Sequence, residues 1–169
     1  MSVSFRKAIY LVALLAAAGV GRAQQVPAAA PSTASADPGP SPAYGMPISL
    51  IQAEKVLNAA KFEAMKLKSA GNAIAVVDTH GELVAFERMD EATFHSVEYA
   101  QIKARGAARL RRAGATPPAE TAAVLTAMPD FVSMPGGMPI VVDGKTIGAI
   151  GVSGGNDLAI AKAAVAVLQ

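Results

Sequence analysis

The sequence of 169 residues contains no cysteine and no tryptophan, and only 17% of its residues are charged. The absence of cysteine excludes disulfides, thiolate zinc sites, iron–sulfur clusters and a cysteine nucleophile. The sequence also lacks an HExxH motif, a GxxxxGK(S/T) phosphate loop and a dinucleotide GxGxxG motif. No catalytic constellation borne by the protein stands out, so whether the chain is an enzyme stays open at this point.

Residues 1–23 have the three-part pattern of a secretory signal peptide. Arg6 and Lys7 begin the segment, an apolar run from Ile9 to Val20 follows, and small residues precede a cleavage position after Ala23. The apolar run is shorter than the ~20 residues that a membrane-spanning helix needs, which favours cleavage over an anchor. The sequence therefore predicts export by the general secretion route to the periplasm or the medium.

Cleavage would change the charge balance. The whole sequence has 15 Lys+Arg and 13 Asp+Glu, a formal charge of +2. Residues 1–23 hold three basic residues and no acidic one, so the exported chain has 12 basic and 13 acidic residues, a balance of −1. A chain without excess positive charge gives little support to nucleic acid as a partner, and we expect none.

A second N-terminal segment, residues 24–43, consists mainly of Pro, Ala and Ser with Asp37 as its one charge. Such a composition has too little apolar bulk to offset the entropy of ordering the chain. We therefore predict a disordered linker, partly of polyproline character, followed by one folded domain over residues 44–169.

The folded part alternates between helical and strand patterns. Ser49 and Gln52 form a capping box at the start of a helix that Gly71 is expected to end. The apolar stripe of this helix is Leu50, Ala53, Val56, Leu57, Ala60, Ala64 and Leu67. The next segments predict strands at 73–77 and 82–88 around a turn with Gly81, and then a helix from 90 or 93 to about 112 that Gly114 ends. A short helix from Thr116 follows. The last predicted elements are strands at 140–142 and 146–152 and a helix capped by Asn156 or Asp157.

This order, α-β-β-α-α-β-β-α, predicts an α+β domain with a single antiparallel sheet built from two hairpins and flanked by helices. The helices are rich in alanine, which allows close packing and leaves a small domain little bulk for a core of its own. Association of several copies would supply the missing burial, so we expect a homo-oligomer.

Several motifs recur along the predicted hairpins. They are VDTHGELV at 77–84, ERMD at 87–90, PGGMPI at 135–140, DG at 143–144 and GAIGVSGG at 148–155, with Ser96, Ala100, Lys103 and Ala104 in the helix between the hairpins. In this order they resemble the heme-binding HbpS/GlcG family, whose fold also forms the C-terminal domain of PduO-type proteins. The resemblance covers nearly all of residues 47–169.

The resemblance implies an α+β fold of the HbpS/GlcG type, a homo-oligomer that is often an octamer, and heme or a related tetrapyrrole as the cofactor, with a corrinoid as the alternative. It supports three hypotheses: an exported protein of heme handling, a sensory accessory of the cell envelope beside a membrane sensor protein, and an enzyme of heme degradation. In the last case the bound iron would carry the chemistry.

His95 is the candidate iron ligand because imidazole is a common axial ligand of heme. It lies early in the second predicted helix, close in sequence to Met89, Phe94 and Tyr99, which would suit a flat macrocycle. We therefore place His95 and Met89 in the cofactor site. A histidine exposed on the surface or satisfied by packing is the alternative, and for His80, in a hairpin turn, exposure is the expectation.

The other candidate cofactor contacts lie later in the sequence. Lys103 matches the family pattern and stands among alanines, so its cation could face a pocket. Backbone N–H groups at two glycine-rich loops could hold an anion, and turn glycines with positive φ are the alternative. These loop candidates are Gly136, Gly137, Ser153 and Gly154. Arg105, Arg109 and Arg112 form a cationic helix face for propionates or solvent, and Met128, Met134 and Met138 suit packing or iron ligation.

Overall fold

The structure is a computed structural model that describes residues 40–115, 119–128 and 134–169. The predicted signal peptide, residues 24–39 of the predicted linker and the predicted helix start at Thr116 lie outside the described residues. The described elements are β1 (Ala43–Tyr44), α1 (Leu50–Lys66), β2 (Ala73–Asp78), β3 (Leu83–Arg88), α2 (Phe94–Leu110), α3 (Ala119–Thr126), β4 (Gly137–Val142), β5 (Lys145–Ser153) and α4 (Asp157–Val165), followed by a 3₁₀ turn (Ala166–Leu168). The predicted α+β class and element order are confirmed.

One sheet holds the domain together, and β5 lies at its centre. β2 runs antiparallel to β5 from the pair Ala73–Ser153 to the pair Asp78–Gly148, and β4 runs antiparallel along the other edge of β5. β3 pairs only with β2, so β3 is an edge strand. The two predicted hairpins therefore join through β2 and β5. The short β1, which the sequence analysis did not predict, pairs parallel with Lys145 and Thr146 and makes the sheet mixed.

The two faces of the sheet differ in side-chain size. On one face, Ile74, Val76, Ile150 and Val152 pack with α1 and α4 in the larger core cluster. On the other face, alanines of β2 and β5 meet a row of alanines from α2. Because successive side chains of a strand point to opposite faces, the bulky residues lie on the first face and the small residues on the second. The domain is therefore a three-layer arrangement with a thick apolar layer on one side and a thin layer on the other.

Two glycines of the sheet allow the backbone of α2 to lie in direct contact with the backbone of the strands. A Cβ atom on Gly151 would overlap the carbonyl oxygen of Ala100, and one on Gly137 would lie 2.5 Å from the carbonyl oxygen of Lys103. Any larger residue at these positions would push the helix away. The alanine and glycine content of these strands is thus required by the contact with α2.

The helix ends differ in part from the predictions. The capping box of Ser49 and Gln52 is present, but Lys68 rather than Gly71 takes the left-handed conformation after α1. Similarly, Arg111 rather than Gly114 takes it after α2. Both glycines instead allow close backbone contacts, since a Cβ on Gly71 would lie 3.2 Å from a carbonyl oxygen of the turn before α2 and one on Gly114 would lie 2.8 Å from a carbonyl oxygen of the loop before β4.

The residues just before α1 bind the C-terminal end of α2. The hydroxyl of Tyr44 donates to the carbonyl oxygens of Ala108 and Arg109 at 3.3 and 3.1 Å. The guanidinium of Arg111 lies 4.7 Å from the centre of the Tyr44 ring and donates to the carbonyl oxygen of Pro42 at 3.1 Å. Carbonyl groups at a helix end need such donors. The last residues of the predicted linker are therefore part of the folded unit.

We predict that Gly151→Val destabilises the domain by more than about 3 kcal/mol, because the new side chain overlaps the backbone of α2. Gly144→Asn is the matched control: no atom lies within 4 Å of a Cβ at Gly144, and asparagine tolerates its positive φ. Urea unfolding followed by circular dichroism measures both variants. Equal stability of the two would show that the contact of α2 with Gly151 is not needed.

Candidate functional site

Lys103 forms a buried ion pair at the junction of α2, β5 and α4. Its side chain is 1% exposed, and its ammonium donates to the Asp157 carboxylate at 2.7 Å and to the Val152 carbonyl oxygen at 3.1 Å. The other carboxylate oxygen of Asp157 accepts the N–H of Gly155 at 2.8 Å. The ammonium thus has partners from the protein itself, and its predicted contact with a cofactor stays a prediction.

Asp157 also explains how α4 begins. The N-cap residue, Asn156, is left-handed and its side chain makes no capping hydrogen bond, unlike the predicted cap. The negative side chain of Asp157 lies in the first turn, where it interacts favourably with the positive end of the helix dipole. One carboxylate therefore binds a buried ammonium, a loop N–H group and the start of a helix.

The glycine-rich loops lie against this ion pair. A Cβ atom on Gly136 would lie 2.7 Å from Cβ of Asp157 and 3.3 Å from Nζ of Lys103, and Gly137 packs on the backbone of Lys103. Ser153 is buried and pairs with Ala73 at the end of β5. The structure therefore brings Lys103, Gly136, Gly137 and Ser153 together in a packed cluster.

Little space remains in this cluster. The cavity beside Lys103 has a volume of about 20 Å³ and is lined by Ile102, Leu110 and Met134 among others. That volume suits about one water molecule. In the structure as it stands, the cluster supports the fold and offers no room for a macrocycle.

Gly154 continues the loop between β5 and α4, and its neighbour Asn72 was missed by the sequence analysis. A Cβ on Gly154 would lie 2.8 Å from Cα of Asn72. The fully buried side chain of Asn72 donates to the Gly155 carbonyl oxygen at 2.8 Å, and the hydroxyl of Ser69 donates to the same oxygen at 3.0 Å. These contacts hold the loop from the side of β2. Asn72 has no motif around it that could have revealed this role.

We expected no GxSxG motif of nucleophile elbows around Ser153, and this expectation is wrong, since the string GVSGG fits that pattern. In the structure Ser153 is buried at the end of β5, and no described contact brings it to His80 or His95. A serine nucleophile needs a base within hydrogen-bond reach. The geometry therefore does not assemble a serine hydrolase site.

His95 lies on the outer surface of α2 and is exposed. Its ring stacks on Tyr99 with the ring centres 3.8 Å apart and the planes at 30°, and the neighbouring Phe94 is 89% exposed. Met89 is half-buried, packs toward the larger core cluster and donates its N–H to Asn72. None of the described contacts of His95 reaches the cluster around Lys103, so the predicted site residues divide into two places.

Arg105, Arg109 and the second histidine lie near the turn between β2 and β3. Arg112 instead donates to the Ser41 hydroxyl at 3.1 Å. The side chain of His80 is 75% exposed, as expected, and lies 3.7 Å from the Asp78 carboxylate. A Cβ on Gly81 would lie 3.4 Å from Arg105 and 3.8 Å from Arg109. The arginine face of α2 therefore packs in part against this turn and is not simply a solvated stripe.

A larger concavity than the one beside Lys103 lies between α1 and β3. This groove has a volume of about 380 Å³, and both apolar and polar residues line it. Lys61 and Glu87 form an ion pair of 2.8 Å across it. Its lining residues are Leu50, Glu54, Leu57, Asn58, Lys61, Val84, Ala85, Phe86 and Glu87.

The sequence analysis missed this groove because no motif marks its lining. The sequence carried one signal: α1 has more large apolar residues than its buried stripe holds, and four of them are 55–68% exposed in the structure. They are Leu50, Ile51, Phe62 and Met65. Leu50, assigned to the buried stripe from its spacing, is exposed, and so is Leu67 at the helix end.

Residues 40–115, 119–128 and 134–169 hold neither a helix that could span a membrane nor a metal-binding cluster. Among them, no helix combines the length and the apolar character needed to cross a bilayer. Within the same ranges, no group of three or more His, Cys, Asp or Glu side chains comes together as a metal-binding cluster. A single axial ligand to heme iron does not require such a cluster.

Comparison with known proteins identifies relatives of this domain. The family model described as "Haem degrading protein HbpS-like" matches residues 48–167. Protein GlcG of Escherichia coli strain K12 is 41% identical over 111 residues, which cover 60% of this chain and 77% of that protein.

Solved structures agree with this assignment. A double mutant of HbpS from Streptomyces reticuli matches with a TM-score of 0.69 and 30% identity over 85% of this chain and 99% of that chain. A complex of PduOC with heme matches with a TM-score of 0.63 and 26% identity over 73% of this chain and 96% of that chain.

We predict that the two partners of the buried ion pair differ in their effect on stability. Asp157→Asn leaves the buried ammonium of Lys103 without its counter-charge and costs about 3 kcal/mol. Lys103→Met leaves a carboxylate that is 19% exposed and still accepts a backbone N–H, so its cost is smaller, about 1–2 kcal/mol. Chemical denaturation measures the difference. A larger loss for Lys103→Met would contradict this account.

Proposed function

Since the chain belongs to the HbpS-like family, we propose that it binds heme or a related tetrapyrrole. The observation that carries the proposal is the match of the family model over residues 48–167, which covers the folded domain from α1 to the last helical turn. The similarity in fold to a protein solved in complex with heme supports it. A corrinoid, as another flat tetrapyrrole, is the alternative ligand.

The residues present fit such a ligand in two places. At the start of α2, the exposed imidazole of His95 can serve as the axial ligand, and the rings of Tyr99 and Phe94 provide apolar faces for a macrocycle. When heme is bound, its iron supplies any redox chemistry. This chain's residues would hold and orient the group.

The groove between α1 and β3 is the second place. Leu57, Val84 and Ala85 in its lining are apolar, and Lys61 offers a cation to a carboxylate. Pockets for small molecules combine apolar walls with a few polar groups in this way. His95 gives an iron ligand without an enclosing cavity, and the groove gives space without an imidazole.

The proposal extends to the setting of the protein. The N-terminal pattern supports export to the periplasm or the medium, where the domain would handle heme or act beside a membrane sensor. The exposed apolar side chains support a homo-oligomer, since large apolar surface is commonly covered by association.

We expect the chain from residue 24 onward to bind hemin with a saturable shift of the Soret band at micromolar protein. His95→Ala removes the imidazole and changes the position or height of this band. His80→Ala, which alters the other histidine of the sequence, leaves it unchanged. Absence of any Soret shift for the unaltered chain would refute the proposed function, whereas equal spectra for all three would refute only the role of His95.

The groove is tested separately. Ala85→Leu places a larger side chain in the groove without touching a candidate iron ligand. If the macrocycle lies there, hemin affinity falls by about tenfold, because the larger side chain removes apolar contact between the macrocycle and the groove. A titration that gives the same affinity for Ala85→Leu and the unaltered chain would place the ligand outside the groove.

A further inference from the structure

The exposed side of α1 has a symmetric pattern. Leu50, Glu54, Asn58, Lys61 and Met65 follow one another at spacings of four, four, three and four residues. At 3.6 residues per turn they lie within an arc of about 80° on the helix surface. Along this stripe the order is apolar, acidic, amide, basic and apolar. Leu50 and Met65 are 55% and 64% exposed, so both apolar ends are open to solvent.

Such a stripe is complementary to itself when two copies of α1 run antiparallel. If the pair is centred between Leu57 and Asn58, Leu50 of one copy faces Met65 of the other and Glu54 faces Lys61. A two-fold axis repeats each contact, as isologous interfaces require. A parallel alignment would instead place glutamate on glutamate and lysine on lysine. The charges therefore select the antiparallel arrangement.

The neighbouring exposed side chains fit the same arrangement. Ile51 and Phe62 are both 68% exposed and lie beside the two apolar ends of the stripe. In this pair of helices the charged pairs at the centre fix the register, and the apolar ends supply burial. A bilayer would not make use of the acid–base order along the helix.

We propose that α1 is the contact surface for a second copy of this chain, paired antiparallel, and that this copy completes the groove between α1 and β3. Leu50, Glu54, Asn58 and Lys61 belong both to the stripe and to the lining of the groove. A second helix along the stripe therefore covers the open side of the groove. The part that concerns ligand binding rests on the proposed function, whereas the contact between copies does not.

Lys61 has a double role in this arrangement. Within one copy its ammonium pairs with Glu87 at 2.8 Å, and 33% of its side chain stays exposed. In the pair of copies the same ammonium lies between Glu87 and the Glu54 carboxylate of the other chain. A cation shared by two carboxylates holds the groove rim and the interface together.

The experiment uses two charge reversals and their mixture. Glu54→Lys and Lys61→Glu each place like charges opposite one another twice, so each variant alone shows at least about a tenfold weaker self-association. An equimolar mixture restores the assembly, because the lysines at 54 and 61 of one variant face the glutamates at 61 and 54 of the other. Lys145→Glu, at the exposed first residue of β5, is the matched control and changes nothing.

Mass is measured by sedimentation velocity and light scattering across a concentration series. Thermal unfolding of each variant shows that it is folded, and Glu54→Lys keeps the ion pair between Lys61 and Glu87 intact. A single-copy mass for the unaltered chain at tens of micromolar overturns the proposal. So does an unchanged mass for both variants, or a mixture that does not recover.

Hemin titration of the same samples tests the completed groove. We expect weaker binding by Glu54→Lys alone and recovery in the mixture with Lys61→Glu. If the masses follow the prediction and hemin binds equally to every sample, the contact stands and its role in the groove is refuted. If the unaltered chain assembles and binds no hemin, the proposed function fails and the contact between copies stands.

Discussion

The close contact between α2 and the sheet is the constraint on which the rest of the structure depends. The helix backbone lies so near to Gly137 and Gly151 that neither position has room for a side chain. The buried ammonium of Lys103 lies in this contact and binds both β5 and the first turn of α4. A shift of α2 away from the sheet would leave that charge buried without its partner, at a cost of several kcal/mol. Small residues and a buried ion pair thus fix the same geometry.

This constraint determines where the domain can carry a function. The side of the sheet that faces α2 is thin, and the cavity beside Lys103 is near the size of one water molecule. Open surface lies on the outer side of α2, where His95 and Phe94 are exposed, and along the groove at β3. A ligand of the size of a tetrapyrrole fits the outer surfaces of the domain and not its interior. Contacts between copies then matter, because an outer surface encloses a ligand only when something covers it.

The position of Lys103 shows how a family pattern and a local environment can suggest different roles. Its place among alanines and its motif suggested a pocket-facing cation. In the structure the Lys103 side chain is buried, and its charge is matched by Asp157, 54 residues later in the sequence. The glycines around it allow close backbone packing and accommodate the ion pair. Lys103 therefore stabilises the junction of α2, β5 and α4, and its contact with a cofactor stays a prediction.

Local sequence determined the elements of this fold. The capping box at Ser49, the turn at Gly81 and the β-branched strands lead to α1, the first hairpin and the core of the sheet, and all are present. Motif order determined the family. Tertiary structure alone decided that Lys68 and Arg111 end their helices, while Gly71 and Gly114 allow close backbone contacts with distant segments. It also decided that His95 and Lys103 lie in separate places. It also created the groove, whose two walls are about 25 residues apart in the sequence. The physical reason is that caps and turns depend on neighbours within a few residues, whereas burial and ion pairing depend on which distant segments the packing brings together.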